Sequence, residues 1–422
     1  MTKTAVVILN WNGRKFLEDF LPSVTAHSTA AGTEIWVADN GSTDDSVSFL
    51  KQNYPQVRTL LFDKNYGFTG GYNKALQQIE AKYFVLLNSD VEVTANWLEP
   101  MVDFMDSNPD VAACMPKLLA YNNKQQFEYA GAAGGFIDKY GFPFCRGRII
   151  GFVENDNGQY NDVRDIFWAT GACMFVRSSV YNSLGGLDSD FFAHMEEIDL
   201  CWRMKNQGHR IVVIPKSVVY HVGGGTLPNN NPRKLFLNYR NNLFMLYKNL
   251  PAKAFHRTLI KRMLFDGLSV GLYLIQLKLR FAWAVPRAHF AFYKNLKSLR
   301  QKRAELQKVR TIDYHNERYN RSIIIIEAGY QLVVYSVDNF FIVLFAVNII
   351  DKDCIIFRID TICLNCCYAH VHETADNLVF LLDIAASAVS AELSDLFGLT
   401  VIVEYNTCTA CMIIGISYYK LG

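Results

Sequence analysis

The sequence predicts an α/β fold on a mostly parallel sheet, followed by a helical basic segment and an unassigned tail. Three observations carry this. Short apolar, β-prone runs at residues 5–8, 35–38, 59–62 and 83–87 alternate with stretches whose apolar residues recur at helical spacing. That alternation belongs to a parallel, doubly wound sheet. Asn10, Asp39, Asp63 and Asp90 each stand at the carboxyl end of such a run or just past it, where ligands sit in sheets of this kind. Half of the 422 residues are hydrophobic and 19% are charged, a composition for packed domains, two or three at this length, and not for disorder.

Taken in order, the first strand (5–10) ends in the turn Trp11-Asn12-Gly13, and Phe16, Leu17, Phe20 and Leu21 then mark one helix face. The second strand (34–38) breaks at Asp39-Asn40-Gly41-Ser42, with Ser42 or Thr43 placed to cap the helix of Val47, Phe49 and Leu50. After a third strand (59–62), Asn65-Tyr66-Gly67-Phe68-Thr69-Gly70-Gly71 is a glycine-spaced loop opening a helix over about 72–81. It is neither GxGxxG nor Walker A, yet its glycines let backbone amides approach a phosphate. A fourth strand (83–87) stops at Asn88-Ser89-Asp90, a helix covers 96–107, and 111–119 is another strand. Residues 121–165 lack periodicity and read as a substrate-contacting insertion. Strand character returns over 166–177, where Gly171 marks a close approach.

A short helix from Ser178 ends at Gly185-Gly186, and the stretch from Phe191 to Arg203 follows. It packs Glu196, Glu197 and Asp199 into four positions of an aromatic surround, a costly arrangement because like charges repel and burial penalises each. The spacing predicts a helix running to Gly208. Glu196, Asp199 and Arg203 share one stripe while Glu197 faces elsewhere, so Asp199 and Arg203 read as a structural ion pair. Residues 211–214 and 218–222 are β-structure carrying His221 just before three glycines.

Six of these stretches, in this order over residues 4 to about 225, resemble family 2 glycosyltransferases with the GT-A fold. They are Val6-Val7-Ile8-Leu9-Asn10-Trp11-Asn12, Asp39-Asn40-Gly41-Ser42-Thr43-Asp44, Asn65-Tyr66-Gly67-Phe68, Asn88-Ser89-Asp90, Thr170-Gly171-Ala172 and Glu196-Glu197-Ile198-Asp199-Leu200. Within that family the chain is most similar to the rhamnosyltransferase-like members that build bacterial surface polysaccharides. The resemblance implies a nucleotide-diphosphate sugar donor, dTDP- or UDP-linked, a divalent metal, and inversion at the anomeric carbon. The acceptor it implies is a hydroxyl of a glycan or lipid-linked glycan.

The resemblance assigns Asn10, Asp39, Asn65, Gly67, Asn88 and Asp90 to the donor. An ionised Asp39 suits the N3–H of a pyrimidine and the ribose hydroxyls. Asp90 is the family's metal position, where a hard cation meets the diphosphate. The usual Asp-x-Asp is here Asn88-Ser89-Asp90, which leaves one carboxylate. His221 resembles the histidine that completes the site in some relatives; the other reading is a structural histidine. Such a mixed site suits Mn2+ or Mg2+. Inversion by single displacement needs a base. Glu197 aligns with the family's base, where Asp is commoner, and Glu196 beside it reads as an acceptor or positioning contact. A helix N-terminus is expected to hold Glu197 ionised against its desolvation. Gly171 and Trp168 border the acceptor pocket, unless Trp168 is core. A sugar-nucleotide pyrophosphorylase is disfavoured, because no Gly-rich, Arg/Lys-bearing loop follows the first strand. The alternative to an active enzyme is a catalytically weak, membrane-associated binding scaffold, suggested by Asn88 and Glu197.

The expected divisions are 1–228 (transferase domain), 229–310 (basic amphipathic helices) and 311–422 (acidic, Cys-rich tail). Residues 1–310 carry 37 Lys/Arg against 27 Asp/Glu and the tail 5 against 13, so the front is basic and the tail acidic. The apolar run 264–285 is interrupted by Asp266, Gln276, Lys278 and Arg280, which suits a membrane surface better than a crossing. Flanking Arg257, Lys261, Arg287 and Lys294 favour anionic headgroups; the plainer reading is a helical subdomain with a solvated basic face. No nucleic-acid motif is present, and none is expected as a partner. With neither a signal peptide nor a spanning run, the expected place is the cytoplasm, peripheral on the inner face of the cell membrane, with the four front cysteines as free buried thiols.

No proline follows Pro286, where about seven are expected at ~5% usage. Cys363-x-x-Cys366 and Cys408-x-x-Cys411 have zinc spacing, but they lie in β-prone apolar runs without turn chemistry, so zinc is not expected. Residues 323–326 and 340–350 are aggregation-prone if exposed. The tail reads as an appendage outside the resemblance.

Overall fold

The computed structural model describes residues 2–149, 151–223 and 231–312, and the backbone of four strands between residues 343 and 419. Met1–Ile323 is one compact unit and Ile324–Gly422 another. In the first, β1 (Thr2–Asn10), α1 (Arg14–His27), β2 (Thr33–Asp39), α2 (Ser46–Asn53), β3 (Arg58–Leu61), α3 (Gly67–Leu76) and β4 (Ala81–Asn88) alternate as predicted. Then come β5 (Val91–Val93), α4 (Glu99–Ser107), β6 (Val111–Ala120) and β7 (Asn123–Phe127). The aperiodic stretch builds a small antiparallel sheet of β8 (Gly135–Ile137), β9 (Pro143–Cys145), β10 (Arg148–Ile149) and β11 (Phe152–Val153). Strands of two or three residues are too short to show a period, which is why the sequence reads as irregular there.

The chain returns through β12 (Arg164–Asp165), β13 (Cys173–Arg177), α5 (Ser178–Ser183), α6 (Glu196–Asn206) and β14 (Arg210–His221). The main sheet has the order β12-β14-β6-β13-β4-β1-β2-β3. β1, β2, β3 and β4 pair in parallel, as do β6 and β14, while β13 runs antiparallel between β4 and β6. Ala5, Val6 and Val7 of β1 and Val85 and Leu87 of β4 are fully buried, as expected for strands covered on both faces. The sheet is mixed and mostly parallel, with helices between its strands, as expected.

Three local expectations shift. The helix expected over about 72–81 begins at Gly67 and ends at Leu76, because the Asn65 side chain and the carbonyl of distant Phe192 accept from its first amides. Of 166–177, the part from Cys173 on is strand; the part before it is held by bonds to β8 and α6. The two β-runs at 211–222 are one strand with a register shift between Ile214 and Val218.

Behind the sheet lie α7 (Pro232–Asn249), α8 (Ala252–Ile275), α9 (Leu279–Lys294) and α10 (Leu296–Val309). The apolar run 264–285 spans a helix break at Leu277, whose φ is 55°. Among the described residues no helix is long and apolar enough to cross a membrane. Cys114, Cys145, Cys173 and Cys201 are free and buried.

The second unit holds β15 (Val343–Asp351), β16 (Cys354–Thr361), β17 (Thr400–Cys408) and β18 (Cys411–Tyr419), antiparallel in the order β15-β16-β18-β17. The run 323–326 and the pair Cys363 and Cys366 lie outside the described residues.

Candidate active site

The ends of β1, β2, β4 and β14 and the N-termini of α3 and α6 carry the residues that the sequence singled out. At the end of β1, Asn10 is fully buried and donates from Nδ2 to Asp39 Oδ2 at 3.0 Å. Asp39 Oδ1 accepts from the Ser42 amide at 2.9 Å. Each carboxylate oxygen thus already has one protein partner. Asn10 Oδ1 is buried with none. A Cβ at Gly13 would come 2.4 Å from that oxygen, so glycine is required there.

The next residue, Asn40, joins this pair to the third loop. It donates to Asn65 Oδ1 (3.1 Å) and the Gly67 carbonyl (3.0 Å) and accepts from the Tyr66 amide (3.0 Å). Asn65 Oδ1 also accepts from the Gly67 amide at 2.7 Å. Gly67 has φ +73°, and a Cβ on it would meet the Phe192 ring at 2.8 Å. Asn65 and Gly67 therefore spend their contacts on shaping the loop.

Asp90 and His221, far apart in sequence, come together. His221 Nε2 lies 3.2 Å from Asp90 Oδ1, and its Nδ1 lies 3.3 Å from Glu128 Oε1. All three side chains are buried. Burial works against a charged ring, but the carboxylates of Glu128 and Asp90 outweigh it and push the His221 pKa up to about 10. A cation taken at Nε2 would compete with that proton. Among the described residues no three His, Cys, Asp or Glu side chains converge as a complete metal cage. The donor set Asp90 and His221, with Glu128 behind the ring, still fits a hard or borderline divalent ion. The arrangement is a carboxylate–histidine pair whose outer partner fixes the ring.

Asn88 at the end of β4 donates its amide to the Ala172 carbonyl at 2.9 Å. Because β13 is antiparallel, its entry Thr170-Gly171-Ala172 lies at the same sheet edge. A Cβ on Gly171 would stand 3.5 Å from Phe68 and 3.8 Å from Glu197 Cβ. This small gap brings the base candidate to the donor edge. Trp168 follows the core alternative: it is buried, donates to the Phe136 carbonyl at 2.8 Å and packs on Gly135.

In α6 the three acids separate by environment. Asp199 is fully buried and accepts from Arg203 (2.9 Å), Lys248 (3.0 Å) and Asn249 (2.7 Å), which makes it the architectural member as read. Glu196 and Glu197 each keep a buried carboxylate oxygen without a partner. Burial, then the charge of Glu197, raises the Glu196 pKa well above the usual range. Burial also lifts Glu197, up to about 7, against the lowering pull of backbone amides at the helix start. The helix N-terminus was expected to keep Glu197 fully ionised; burial outweighs it. A carboxylate that titrates near neutrality results.

The backbone ahead of these acids is strained. Phe192, His194 and Met195 have φ of 66°, 70° and 72°, at a cost of about 1–3 kcal/mol each for such conformations. The Ala193 amide donates to the Phe191 carbonyl at 2.8 Å, closing a γ-turn of the rare positive-φ kind. The Phe192 carbonyl accepts from the amides of Phe68 (3.1 Å) and Thr69 (3.4 Å). One strained turn thus ties the Gly67 loop to the start of α6.

Sequence reasoning missed Glu128 and Asn241. Glu128 carries one weak signal, a lone acid before the small apolar run Ala130–Gly135. The signal for Asn241 is Asn241-Asn242 in mid-helix, where asparagine is a poor choice unless its side chain has a task.

Residues 5–185 match the family model for glycosyl transferase family 2. The N-acetylglucosaminyl-diphospho-decaprenol L-rhamnosyltransferase of Mycobacterium tuberculosis is 26% identical over 51% of this chain and 75% of its own length. The O-antigen biosynthesis protein RfbC of Myxococcus xanthus is 26% identical over 52% of this chain but 17% of its own length. Rhamnosyltransferase WbbL of Escherichia coli is 24% identical over 37% and 61%. Among solved structures, GalNAc-T7 with UDP, GalNAc and Mn2+ has a TM-score of 0.46 and 16% identity over 59% of this chain and 48% of that one. Over residues 5–185 the chain is thus similar to glycosyl transferase family 2, and the relatives it resembles include rhamnosyltransferases.

Proposed function

We propose that the protein is an inverting glycosyltransferase that moves a sugar from a dTDP- or UDP-linked donor to a hydroxyl of a glycan or lipid-linked glycan in cell-surface polysaccharide synthesis. The observation that carries this reading is Glu197: a carboxylate with an unpartnered oxygen and a pKa of about 7, against Gly171 at the sheet edge. In the transfer, the acceptor oxygen attacks the anomeric carbon on the face opposite the diphosphate. Glu197 takes the hydroxyl proton as the new C–O bond forms. The old C–O bond breaks, its electron pair leaving with the diphosphate. Glu196 lies beside Glu197 to orient the acceptor, while Asn10 and Asp39 face the nucleoside, with Asn65, Gly67 and Asn88 shaping the donor bed. Asp90 and His221 would hold Mn2+ or Mg2+, which supplies positive charge to the leaving diphosphate.

Purified protein incubated with Mn2+ and a panel of UDP-, dTDP- and GDP-sugars tests this. Asp90→Ala is expected to cut donor hydrolysis and transfer at least 100-fold and to weaken Mn2+ binding measured calorimetrically with nucleotide present. Donor binding by the wild type without turnover, even with acceptor extracts, would favour the binding-scaffold alternative.

Work at the inner membrane surface belongs to the same proposal, and α8 supports it. Two of its ionic residues turn inward: Arg262 and Asp266 are buried and paired at 2.7 Å, with His289 on Asp266 at 2.9 Å, while Lys253 and Arg257 are exposed. Its leucines turn outward, with Leu264, Leu268 and Leu272 each more than half exposed. The turn into α9 adds Ile275 (81%) and Leu277 (84%), beside exposed Lys278 and Arg280. An exposed apolar face of this extent marks an interaction surface, and its basic border suits anionic lipid. The protein is expected to co-sediment with vesicles containing phosphatidylglycerol, and Ile275→Asp with Leu277→Asp is expected to abolish this while transfer to a soluble acceptor persists. Equal sedimentation of the double variant would sink the membrane reading.

A further inference from the structure

The strained turn ahead of Glu197 is held from outside its own element, by α7. Asn241, fully buried at mid-helix, donates from Nδ2 to the carbonyls of Phe191 (3.0 Å), Ala193 (2.8 Å) and His194 (2.7 Å). Its amide is fixed in that sense because Oδ1 accepts from Arg240 Nε at 2.8 Å. Arg240 adds bonds from Nη2 to the carbonyls of Asp190 (3.1 Å) and Phe191 (2.9 Å). Three carbonyls of consecutive or alternate residues can converge on one donor only when the backbone leaves ordinary φ/ψ space, as positions 192, 194 and 195 do. Without that donor, the carbonyls of Ala193 and His194 would lose this partner while that of Phe191 keeps the Ala193 amide and Arg240, and the segment would relax toward an ordinary helix entry.

We propose that Asn241 is a positioning residue for glycosyl transfer: by gathering these carbonyls it fixes where α6 starts, and so where the Glu197 carboxylate meets the acceptor hydroxyl. The proposal rests on the reading of Glu197 as the base. It makes α7, outside the residues that match the family, part of the catalytic apparatus. It also gives the strained turn a purpose. The Phe192 carbonyl, which Asn241 does not bond, caps the amides of Phe68 and Thr69, so the donor loop keeps an anchor of its own.

The test compares wild type, Asn241→Leu and Arg240→Met in the full chain. Asn241→Leu keeps the volume and removes the donor. Its kcat is expected to fall about 100-fold, the loss that a displacement of about 1 Å can cause, while donor KM and UDP affinity stay within twofold. Arg240→Met, which leaves Nδ2 of Asn241 in place, is expected to lose less than tenfold. Amide exchange at residues 191–197 is expected to accelerate in Asn241→Leu, with β1–β4 unchanged. Unchanged kcat, or kcat and UDP affinity falling together, overturns the positioning role. Should Asn241→Leu not fold, Asn241→Gln, which keeps the donor on a longer arm, decides: kcat lost with UDP affinity kept supports the proposal, and kcat at the wild-type level overturns it. A wild type inactive on every donor and acceptor tried sinks the transferase reading itself, and the positioning role with it.

Discussion

Glu197→Gln is expected to lower transfer about 10³-fold while leaving UDP binding intact, because only the proton acceptor is lost and a general base contributes ~10²–10⁴-fold. The pH dependence sharpens this. Burial lifts the Glu197 pKa to about 7, so the wild-type kcat is expected to rise with pH and reach half its plateau near that value. The residual activity of Glu197→Gln should lack this limb. A second measurement follows from linkage. The folded-state pKa lies above that of an unfolded carboxyl, so the native state carries no penalty below about pH 4.5 and is progressively penalised as pH rises through about 7. Glu197→Gln removes a charge that the fold disfavours. It is therefore expected to melt at a higher temperature than wild type at pH 8, with the difference closing toward pH 4.5.

Asp199→Ala is expected to do the opposite: little direct chemistry, large loss of stability. Asp199 is where α6 and α7 are pinned, accepting from Arg203, Lys248 and Asn249 with no surface exposed. Arg203 and Lys248 are themselves buried. Removing one partner of a buried ion pair typically costs ~3–5 kcal/mol because the other charge is left stranded. Lys248 keeps Asp188 at 2.5 Å, which places the expected loss at the lower end, about 3 kcal/mol. For a unit of 323 residues, at ~2.1 cal/mol/K of unfolding entropy per residue, that lowers the melting temperature by roughly 4 °C. Thermal unfolding checks it, and a shift within 2 °C would show that the pairing contributes nothing net.

The parts of this protein that were legible in its sequence are those written locally. The strands ending at Asn10, Asp39 and Asn88 could be read because buried parallel strands leave unbroken β-branched runs, and their ends are marked by abrupt polarity. The Asp199–Arg203 pair could be read because its members lie one helical turn apart. The start of α3 could not, since Gly67-Phe68-Thr69-Gly70-Gly71 is a poor helix on propensity and begins there through Asn65 and the distant carbonyl of Phe192. The protonation of Glu197 was misjudged because sequence shows the helix terminus but not how completely the surround excludes water. Glu128 and Asn241 escaped because they act across 93 and 47 to 50 residues of chain respectively, with no motif of their own. Trp168 stood equally well for pocket and core until Gly135 was seen beneath its ring.

The reversed strand β13 has a consequence for the order in which this molecule can be made. As synthesis proceeds from the N-terminus, β1 to β4 can assemble from near neighbours. β6 has no place in the main sheet until β13 arrives to lie between it and β4. The chain meanwhile spends residues 121–172 on β7, the small sheet and β12. Through that interval the flank of β4, with Phe84, Val85, Leu86 and Leu87 all destined for burial, is an open apolar edge of the kind that invites mispairing. Non-local closure of this sort is slow. The five residues of β13 are thus a keystone set late, the piece that closes that edge between β4 and β6.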